Sequence, residues 1–311
     1  MKPLILSSLC AAFLLSGCVV HHHHHHPAPE AAGHEAPRAE EPGSQRDAPQ
    51  AREQAPRAGR AYDFFDRYSL VSRATGGGCE IDENDALSCW GATPEGTPRG
   101  SFMQVDMGSM HACALTTEGR ALCWGNNEDG QLDAPSDRFV EVRAEGRMSC
   151  GLRDDGAIRC WGSNDSGQTS PPRGQFTAIA VDTVHGCGIR ADGDIQCWGY
   201  YDDLVPGPFV SVGVGVAHSC GLREDGRIHC WGSNTFSKLE HPSGRFEQLH
   251  VGSGTSCAVD DRGIAQCWGW GFEPAARLPD PVEAVLVRGD RLCHVFSDAI
   301  ECEPIAPEYH R

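Results

Sequence analysis

The segment Cys113-Ala114-Leu115-Thr116-Thr117-Glu118-Gly119-Arg120-Ala121-Leu122-Cys123-Trp124-Gly125 sets two cysteines symmetrically about Glu118. A three-residue hairpin loop at Thr117, Glu118 and Gly119, closed by a glycine in the left-handed conformation, brings the cysteines face to face across two antiparallel strands. The unit recurs, and its cysteine pairs are Cys79/Cys89, Cys113/Cys123, Cys150/Cys160, Cys187/Cys197, Cys220/Cys230, Cys257/Cys267 and Cys293/Cys302. Successive units begin 33 to 37 residues apart, a period that marks a propeller or solenoid. Gly156, Gly193, Gly226 and Gly263 repeat the place of Gly119, and Asp85 takes it in the first unit. The last unit is one residue shorter, as a two-residue loop at Ser297 and Asp298 requires if its cysteines are to stay opposed.

Seven opposed pairs predict seven cross-strand disulfides, and the cysteine count agrees. Of 16 cysteines, 14 fall in the units and the other two, Cys10 and Cys18, lie near the N-terminus. A four-ligand zinc site wants closely spaced pairs such as C-x2-C, and no unit offers one, so no metal is expected. No cofactor is expected either.

A further strand precedes each hairpin, written Phe102-x-x-Val105, Phe139-x-x-Val142, Phe176-x-x-Ile179, Phe209-x-x-Val212 and Phe246-x-x-Leu249. Short strands at regular spacing joined by glycine turns leave a closed propeller or an open solenoid, and seven units of this length favour closure. The expected fold is all-β, a seven-bladed β-propeller with one cross-strand disulfide per blade. Trp90, Trp124, Trp161, Trp198, Trp231 and Trp268 each follow a hairpin cysteine, so they point to the sheet face opposite the disulfide, where they can pack one blade on the next.

Disulfides need an oxidising compartment, and the N-terminus supplies a route to one. Lys2 and an apolar run from Leu4 to Leu15 lead into Leu15-Ser16-Gly17-Cys18, which looks like the bacterial lipobox. Residues 1–17 read as a lipoprotein signal peptide and Cys18 as the lipidated first residue. An ordinary cleaved signal with an incidental cysteine is the alternative. Val19 in place of aspartate favours the outer membrane of a bacterial cell envelope. Residues 18–60, rich in proline, alanine and charge, read as a disordered tether about 35–40 Å in mean span. His21–His26 is either a native metal-binding tract or a purification tag.

The propeller is assigned to residues 61–311. Residues 1–60 carry six Lys/Arg and six Asp/Glu, so the whole formal charge of −17 resides in that domain. Such a surface argues against binding nucleic acid by phosphate neutralisation and suits solubility or a basic partner.

The residues Phe102, Val105, Gly108, His111, Cys113, Ala114, Leu115, Gly119, Cys123, Trp124, Gly125, Asn127, Gly130 and Gln131 resemble the regulator-of-chromosome-condensation repeat, and the later units follow the same pattern. The resemblance covers about residues 70–311 and implies a seven-bladed propeller. Its nuclear members act on chromatin and a small GTPase, a role that an exported acidic domain does not inherit. Its secreted bacterial members include inhibitors that clamp β-lactamases with loops at one end of the propeller, and their contacts cannot be matched to positions here.

Departures from the repeat mark a candidate site. After Cys-Trp-Gly the second and third units continue with polar turns, Asn127–Gln131 and Asn164–Gln168, whereas the next three place Tyr200 and Tyr201, then Phe236, then Trp270 and Phe272. Aromatic residues on one rim suit a protein hot spot or a sugar-stacking platform, unless they fold back onto neighbouring blades. His111, His185 and His218 share one position and suit either local packing or a zinc site on the axis. No catalytic residue is assigned, since no phosphate loop or His-Glu-x-x-His stands out. The reading is a lipid-anchored, non-enzymatic binding scaffold at the cell envelope. Its partner is an envelope or extracellular protein or a glycan, its membrane contact is through the lipid only, and it has no nucleic-acid partner. The alternative is a lectin or an envelope hydrolase with carboxylate pairs such as Asp202-Asp203 or Asp260-Asp261. Ring closure is open between Tyr62–Leu70 and Glu303–Arg311.

Overall fold

A computed structural model describes residues 19–21, 68–70, 77–91, 93–278, 280–288, 291–296 and 299–305. These form seven antiparallel sheets, one per cysteine unit. Blade one comprises Tyr68–Leu70, Gly77–Ile81 and Leu87–Gly91; blade two Phe102–Met107, His111–Thr116 and Ala121–Gly125; blade three Phe139–Glu145, Met148–Arg153 and Ile158–Gly162. Blade four comprises Phe176–Val181, His185–Arg190, Ile195–Gly199 and Leu204–Val205, and blade five Phe209–Gly215, His218–Arg223 and Ile228–Gly232. Blade six comprises Gln248–Val251, Thr255–Val259, Ala265–Gly269 and Phe272–Arg277, and blade seven Ala284–Arg288, Arg291–Val295 and Ala299–Pro304. The first strand of each blade packs on the first strand of the next, from blade one through blade seven, so these strands line the propeller axis.

The hairpin reading holds residue by residue. Cys113 lies directly opposite Cys123, and Thr116 and Arg120 bracket the three-residue loop, with the Thr116 N–H donating to the Arg120 carbonyl at 2.9 Å. The disulfides are Cys79–Cys89, Cys113–Cys123, Cys150–Cys160, Cys187–Cys197, Cys220–Cys230, Cys257–Cys267 and Cys293–Cys302, each between directly opposed residues with Cα–Cα separations of 3.9–4.1 Å. In blade seven the pairing of Val295 with Ile300 and of Cys293 with Cys302 brackets the shorter loop, whose Ser297 and Asp298 lie outside the described residues.

The two members of a pair differ in cover, which their symmetric spacing does not reveal. Cys79, Cys113, Cys150, Cys187, Cys220, Cys257 and Cys293, on the second strand of each blade, are fully buried. Their partners stand on the third strand, nearer the outside of the ring, and Cys89, Cys123, Cys160, Cys230 and Cys302 are only half-buried. Cys197 and Cys267 depart from these five and are buried, because the fourth strands of blades four and six lie against them, whereas the fourth strand of blade seven pairs with Ala299–Glu301 and stops short of Cys302. The Cys197 N–H donates to the Asp203 carbonyl at 2.8 Å, and Cys267 pairs with Ala276 of the fourth strand of blade six.

The left-handed residue of each hairpin also couples blades. The carbonyl of Gly119, at φ +82°, accepts the N–H of Phe139 at 2.7 Å, and Gly156, Gly193, Gly226 and Gly263 do the same for Phe176, Phe209, Phe246 and Val282 at 2.8–2.9 Å. Asp85 (φ +61°) serves Phe102 at 2.8 Å. A Cβ at Gly119 would stand 3.0 Å from the Phe139 carbonyl oxygen, so glycine is required there by both the turn and the neighbour.

The apolar interior is a series of layers between blades. One layer joins Cys79 and Ile81 of blade one, with Cys89 at its edge, to Phe102, Val105 and Trp124 of blade two. The next joins Cys113 and Leu115 to Phe139, Val142 and Trp161. The disulfide face of one blade therefore packs on the tryptophan face of its successor, as the alternation of strand side chains requires. Three indoles add a polar tie. The Nε1–H groups of Trp161, Trp198 and Trp268 donate to the carbonyls of Gln131, Gln168 and Lys238 in the preceding blade at 2.9, 2.8 and 3.0 Å.

Among the described residues, the strand that completes blade seven comes from neither expected segment. Tyr68–Leu70 is the inner strand of blade one, and Glu303 and Pro304 end the third strand of blade seven. The fourth strand of blade seven is Val19–His21, paired with Ala299–Glu301, within the stretch the sequence reads as tether. The signal peptide, Cys18 and residues 22–67 lie outside the described residues.

Candidate functional site

The hairpins that join the second and third strands of the blades lie at one end of the propeller, the hairpin end. The turn between each blade's first two strands and the segment after Cys-Trp-Gly go to the other, the loop end. Backbone hydrogen bonds bind these two segments together: Asn126 to Met110, Ser163 to Arg147, Tyr200 to Val184, Ser233 to Ala217 and Trp270 to Gly254, at 2.7–3.0 Å.

In blades two and three the loop-end segments satisfy themselves. The Asn127 Oδ1 accepts the Leu132 N–H at 2.8 Å, and the Gln131 side chain accepts from the Asp129 N–H and donates to Asn126. Asn164 and Gln168 repeat the arrangement. Arg147 bridges the two loops through Asp129 and Asp165 at 3.1 and 3.3 Å.

Blade four breaks this pattern. Tyr200 is 67% exposed, and its ring stands edge-on to Tyr201 with centroids 4.9 Å apart. Tyr201 in turn stands edge-on to His185 at 5.0 Å, and His185 Nε2 lies 3.3 Å from the Ser219 hydroxyl of blade five. The pair is thus an exposed ring backed by a ring fixed to the frame. Asp202 and Asp203 follow, both exposed.

Blade five keeps the asparagine but not the glycine. The Asn234 Oδ1 accepts the Leu239 N–H at 2.9 Å, yet Ser237 occupies the position of Gly130 and Gly167 with φ +52°, and Phe236 beside it has φ +63°. A bulky residue in left-handed backbone costs about 1–2 kcal/mol. The segment is held there by its asparagine and by Lys238, whose Nζ donates to the Val216 carbonyl at 2.8 Å. Burial lowers the Lys238 ammonium pKa, with the Asp182 charge opposing. The Phe236 ring, held in this backbone, is 52% exposed, and Val216 is 48% exposed.

Blade six corrects the sequence reading. Phe272 is 1% exposed; the chain turns so tightly after Gly269 that Phe272 pairs opposite it as the first residue of a fourth strand, with its ring in the core between blades six and seven. Trp270 is half-buried against the same core. Of the five aromatic residues, Tyr200 and Phe236 stand clear, Tyr201 and Trp270 are partly covered, and Phe272 is interior. The sequence reading omits Val216, because it continues the alternation of Val210, Val212 and Val214 and so reads as strand rather than as an exposed turn residue.

The three histidines are inter-blade struts. The Nε2 atoms of His111, His185 and His218 lie 2.7, 3.3 and 3.0 Å from the hydroxyls of Ser149, Ser219 and Ser256, each in the following blade. Ser149 gives its own proton to the Gln131 carbonyl, so His111 must donate from Nε2. Burial lowers all three histidines to a pKa of about 4, the Lys238 charge adding to the effect at His218. Each imidazole is engaged in its own inter-blade bond, and among the described residues no three His, Cys, Asp or Glu side chains gather as a metal site. The two carboxylate pairs considered for hydrolysis do not converge: Asp202-Asp203 follows the loop-end tyrosines, whereas Asp260-Asp261 forms the hairpin of blade six, where Asp260 pairs with Arg262.

The regulator of chromosome condensation (RCC1) repeat is matched at residues 104–131, 147–168 and 209–237. No curated protein matches the chain. Among solved structures, the ectodomain of the Physcomitrella patens receptor kinase CR4 is similar with 22% identity and a TM-score of 0.66, covering 77% of this chain and 72% of that one. The CRINKLY WD40 ectodomain of the Arabidopsis thaliana receptor kinase ACR4 gives 21% identity and 0.66, covering 77% and 95%. Prp20p of Saccharomyces cerevisiae, described with its binding properties to Gsp1p and histones, gives 16% identity and 0.60, covering 78% and 83%. At these identities the likeness is one of fold. The chain thus carries three segments that match the RCC1 repeat, and it folds as a seven-bladed β-propeller with a disulfide in every blade.

Proposed function

We propose that this protein is a non-catalytic binding scaffold of the bacterial cell envelope, anchored by lipid at Cys18, which engages a protein partner through the loop-end rim of blades four and five. The observation that carries the reading is Phe236: an exposed aromatic ring held in left-handed backbone, one blade from the exposed Tyr200. Strain maintained at an exposed apolar residue is a signature of a surface kept for contact. The hairpin end is instead laced by short-range pairs such as Arg153–Asp137, Arg153–Asp155 and Arg262–Asp260. The lipobox-like Leu15–Cys18 and the disulfide per blade support an exported, anchored protein. Propellers of this repeat type serve as interaction scaffolds, and yeast Prp20 is a protein-binding example.

Two comparisons test this. Capture from envelope extracts by the intact protein is expected to yield a protein that a Tyr200→Ala/Phe236→Ala variant of unchanged circular dichroism loses. Equal capture by both would move the site off the rim, and a glycan captured instead would favour the lectin reading. Phe236→Asn, which suits left-handed backbone, is expected to stabilise the fold by about 0.5–1 kcal/mol in urea titration while weakening partner capture. A gain in stability with unchanged capture would show that the strain serves no binding role.

A further inference from the structure

Resting on that rim, the inference concerns what the partner presents to it. The loop end offers no unpaired cation among the described residues of blades two to five that form it. Arg147 is spent between Asp129 and Asp165, and Lys238 is only 6% exposed, with its Nζ on the Val216 carbonyl. Asp202 and Asp203 are exposed and, among the described residues, have no ion-pair partner. They follow directly on Tyr200 and Tyr201, whose edge-to-face arrangement leaves the Tyr200 ring open to solvent. An open aromatic face beside carboxylates is the surface that a Lys or Arg side chain satisfies twice, by its charge over the ring and by ion pairing. The protein already uses the first contact internally, with the Arg223 guanidinium carbon 4.4 Å from the Phe209 ring centroid. Phe236 and Val216, on blade five, are the apolar complement. The formal charge of −17 would steer a cationic segment toward the domain.

We infer that the rim of blades four and five receives a basic, amphipathic protein segment, with a Lys or Arg of that segment seated on Tyr200 between the Asp202 and Asp203 carboxylates and an apolar residue against Phe236.

The test uses the full chain, oxidised, and fluorescence anisotropy with four probes: a labelled dodecapeptide of alternating Arg and Leu, its Glu-Leu and Ser-Leu counterparts, and a labelled chito-oligosaccharide. The Arg-Leu peptide is expected to bind. Its affinity should fall roughly tenfold in Tyr200→Ala/Phe236→Ala and again in Asp202→Asn/Asp203→Asn, and should weaken between 50 and 300 mM NaCl, roughly a Debye length of 14 to 6 Å. Tyr200→Phe, which keeps the ring, is expected to retain binding. If the Ser-Leu peptide binds as well as Arg-Leu and is lost with the aromatic residues, the rim reading stands and the cationic inference falls. Arg-Leu binding that survives removal of Tyr200 and Phe236 overturns both. Binding of the Glu-Leu peptide, or of the oligosaccharide alone, overturns the cationic inference.

Discussion

Reduced in denaturant, alkylated and returned to buffer, the chain is expected to lose its cooperative unfolding transition. Each disulfide closes a loop of about eleven residues, which by loop-closure entropy stabilises the fold by up to about 2–3 kcal/mol, less where the hairpin persists in the unfolded chain. Even at half that figure, seven such bonds together contribute roughly as much as the entire stability of an ordinary domain, about 5–15 kcal/mol. The reduced chain therefore has little left with which to order its backbone. The first cysteine of every pair is fully buried, so the native protein should resist reductant until denaturant is added. Where a disulfide does yield first, it should be one whose outer sulfur is half-covered, at Cys89, Cys123, Cys160, Cys230 or Cys302, and those of Cys197 and Cys267 should yield last. Differential scanning calorimetry of oxidised and alkylated chains, with thiol counting and peptide mapping across a denaturant series, checks these statements. A reduced protein that melts cooperatively within about 5 °C of the oxidised one would show that blade packing carries the fold and that the disulfides are incidental.

Between pH 6.5 and pH 4 the protein is expected to lose stability through three residues, His111, His185 and His218. Their native pKa values of about 4 lie below the ordinary 6.5, so in this window the unfolded chain binds protons that the folded chain does not. Their contribution is thus fully present above pH 6.5, declines as the pH falls, and levels off below about 4. A depression of this size corresponds to about 3 kcal/mol per imidazole. The buried Nδ1 of His185 meets no hydrogen-bond partner, so an added proton there would be unsatisfied. Urea midpoints at pH 7.5, 6.0 and 5.0 should fall progressively. The triple variant His111→Gln/His185→Gln/His218→Gln should start lower and lose most of that slope. A wild-type midpoint constant from pH 7.5 to 5.0 would refute the inter-blade strut as described.

The hairpins are legible because stereochemistry leaves few ways to read a cysteine, nine residues and a cysteine with a glycine just past the centre. The alternation of a cysteine with a tryptophan likewise tells which sheet faces meet. What joins the blades is not legible, because the bond from the Phe139 N–H to the Gly119 carbonyl uses main-chain atoms that every residue has. Nor does the repeat distinguish Cys197 and Cys267 from Cys89, Cys160 and Cys230, since their cover comes from added strands that no unit's spacing announces. The histidines are readable only in part. His111, His185 and His218 precede a cysteine by two residues, and Ser149, Ser219 and Ser256 precede a unit's first cysteine by one, so the pairing is written in the chain but needs the blade stacking to become visible. Phe272 misleads because a residue type does not say whether a loop continues or folds back. Trp270 and Gly271 leave room only for a tight turn, and the aromatic residue after them lands in a strand. Closure by Val19–His21 is hidden because three residues beside a histidine run carry no strand periodicity.

Site-specific photo-crosslinking in intact cells addresses the binding face most directly. A benzophenone side chain would be placed in turn at Tyr200, at Phe236, and at the exposed hairpin-end positions Glu118 and Asp154. The prediction is a discrete adduct with one protein from Tyr200 and Phe236 and none from Glu118 or Asp154. Adducts from the hairpin end alone would contradict the assignment of the rim of blades four and five as the surface this propeller presents to its partner.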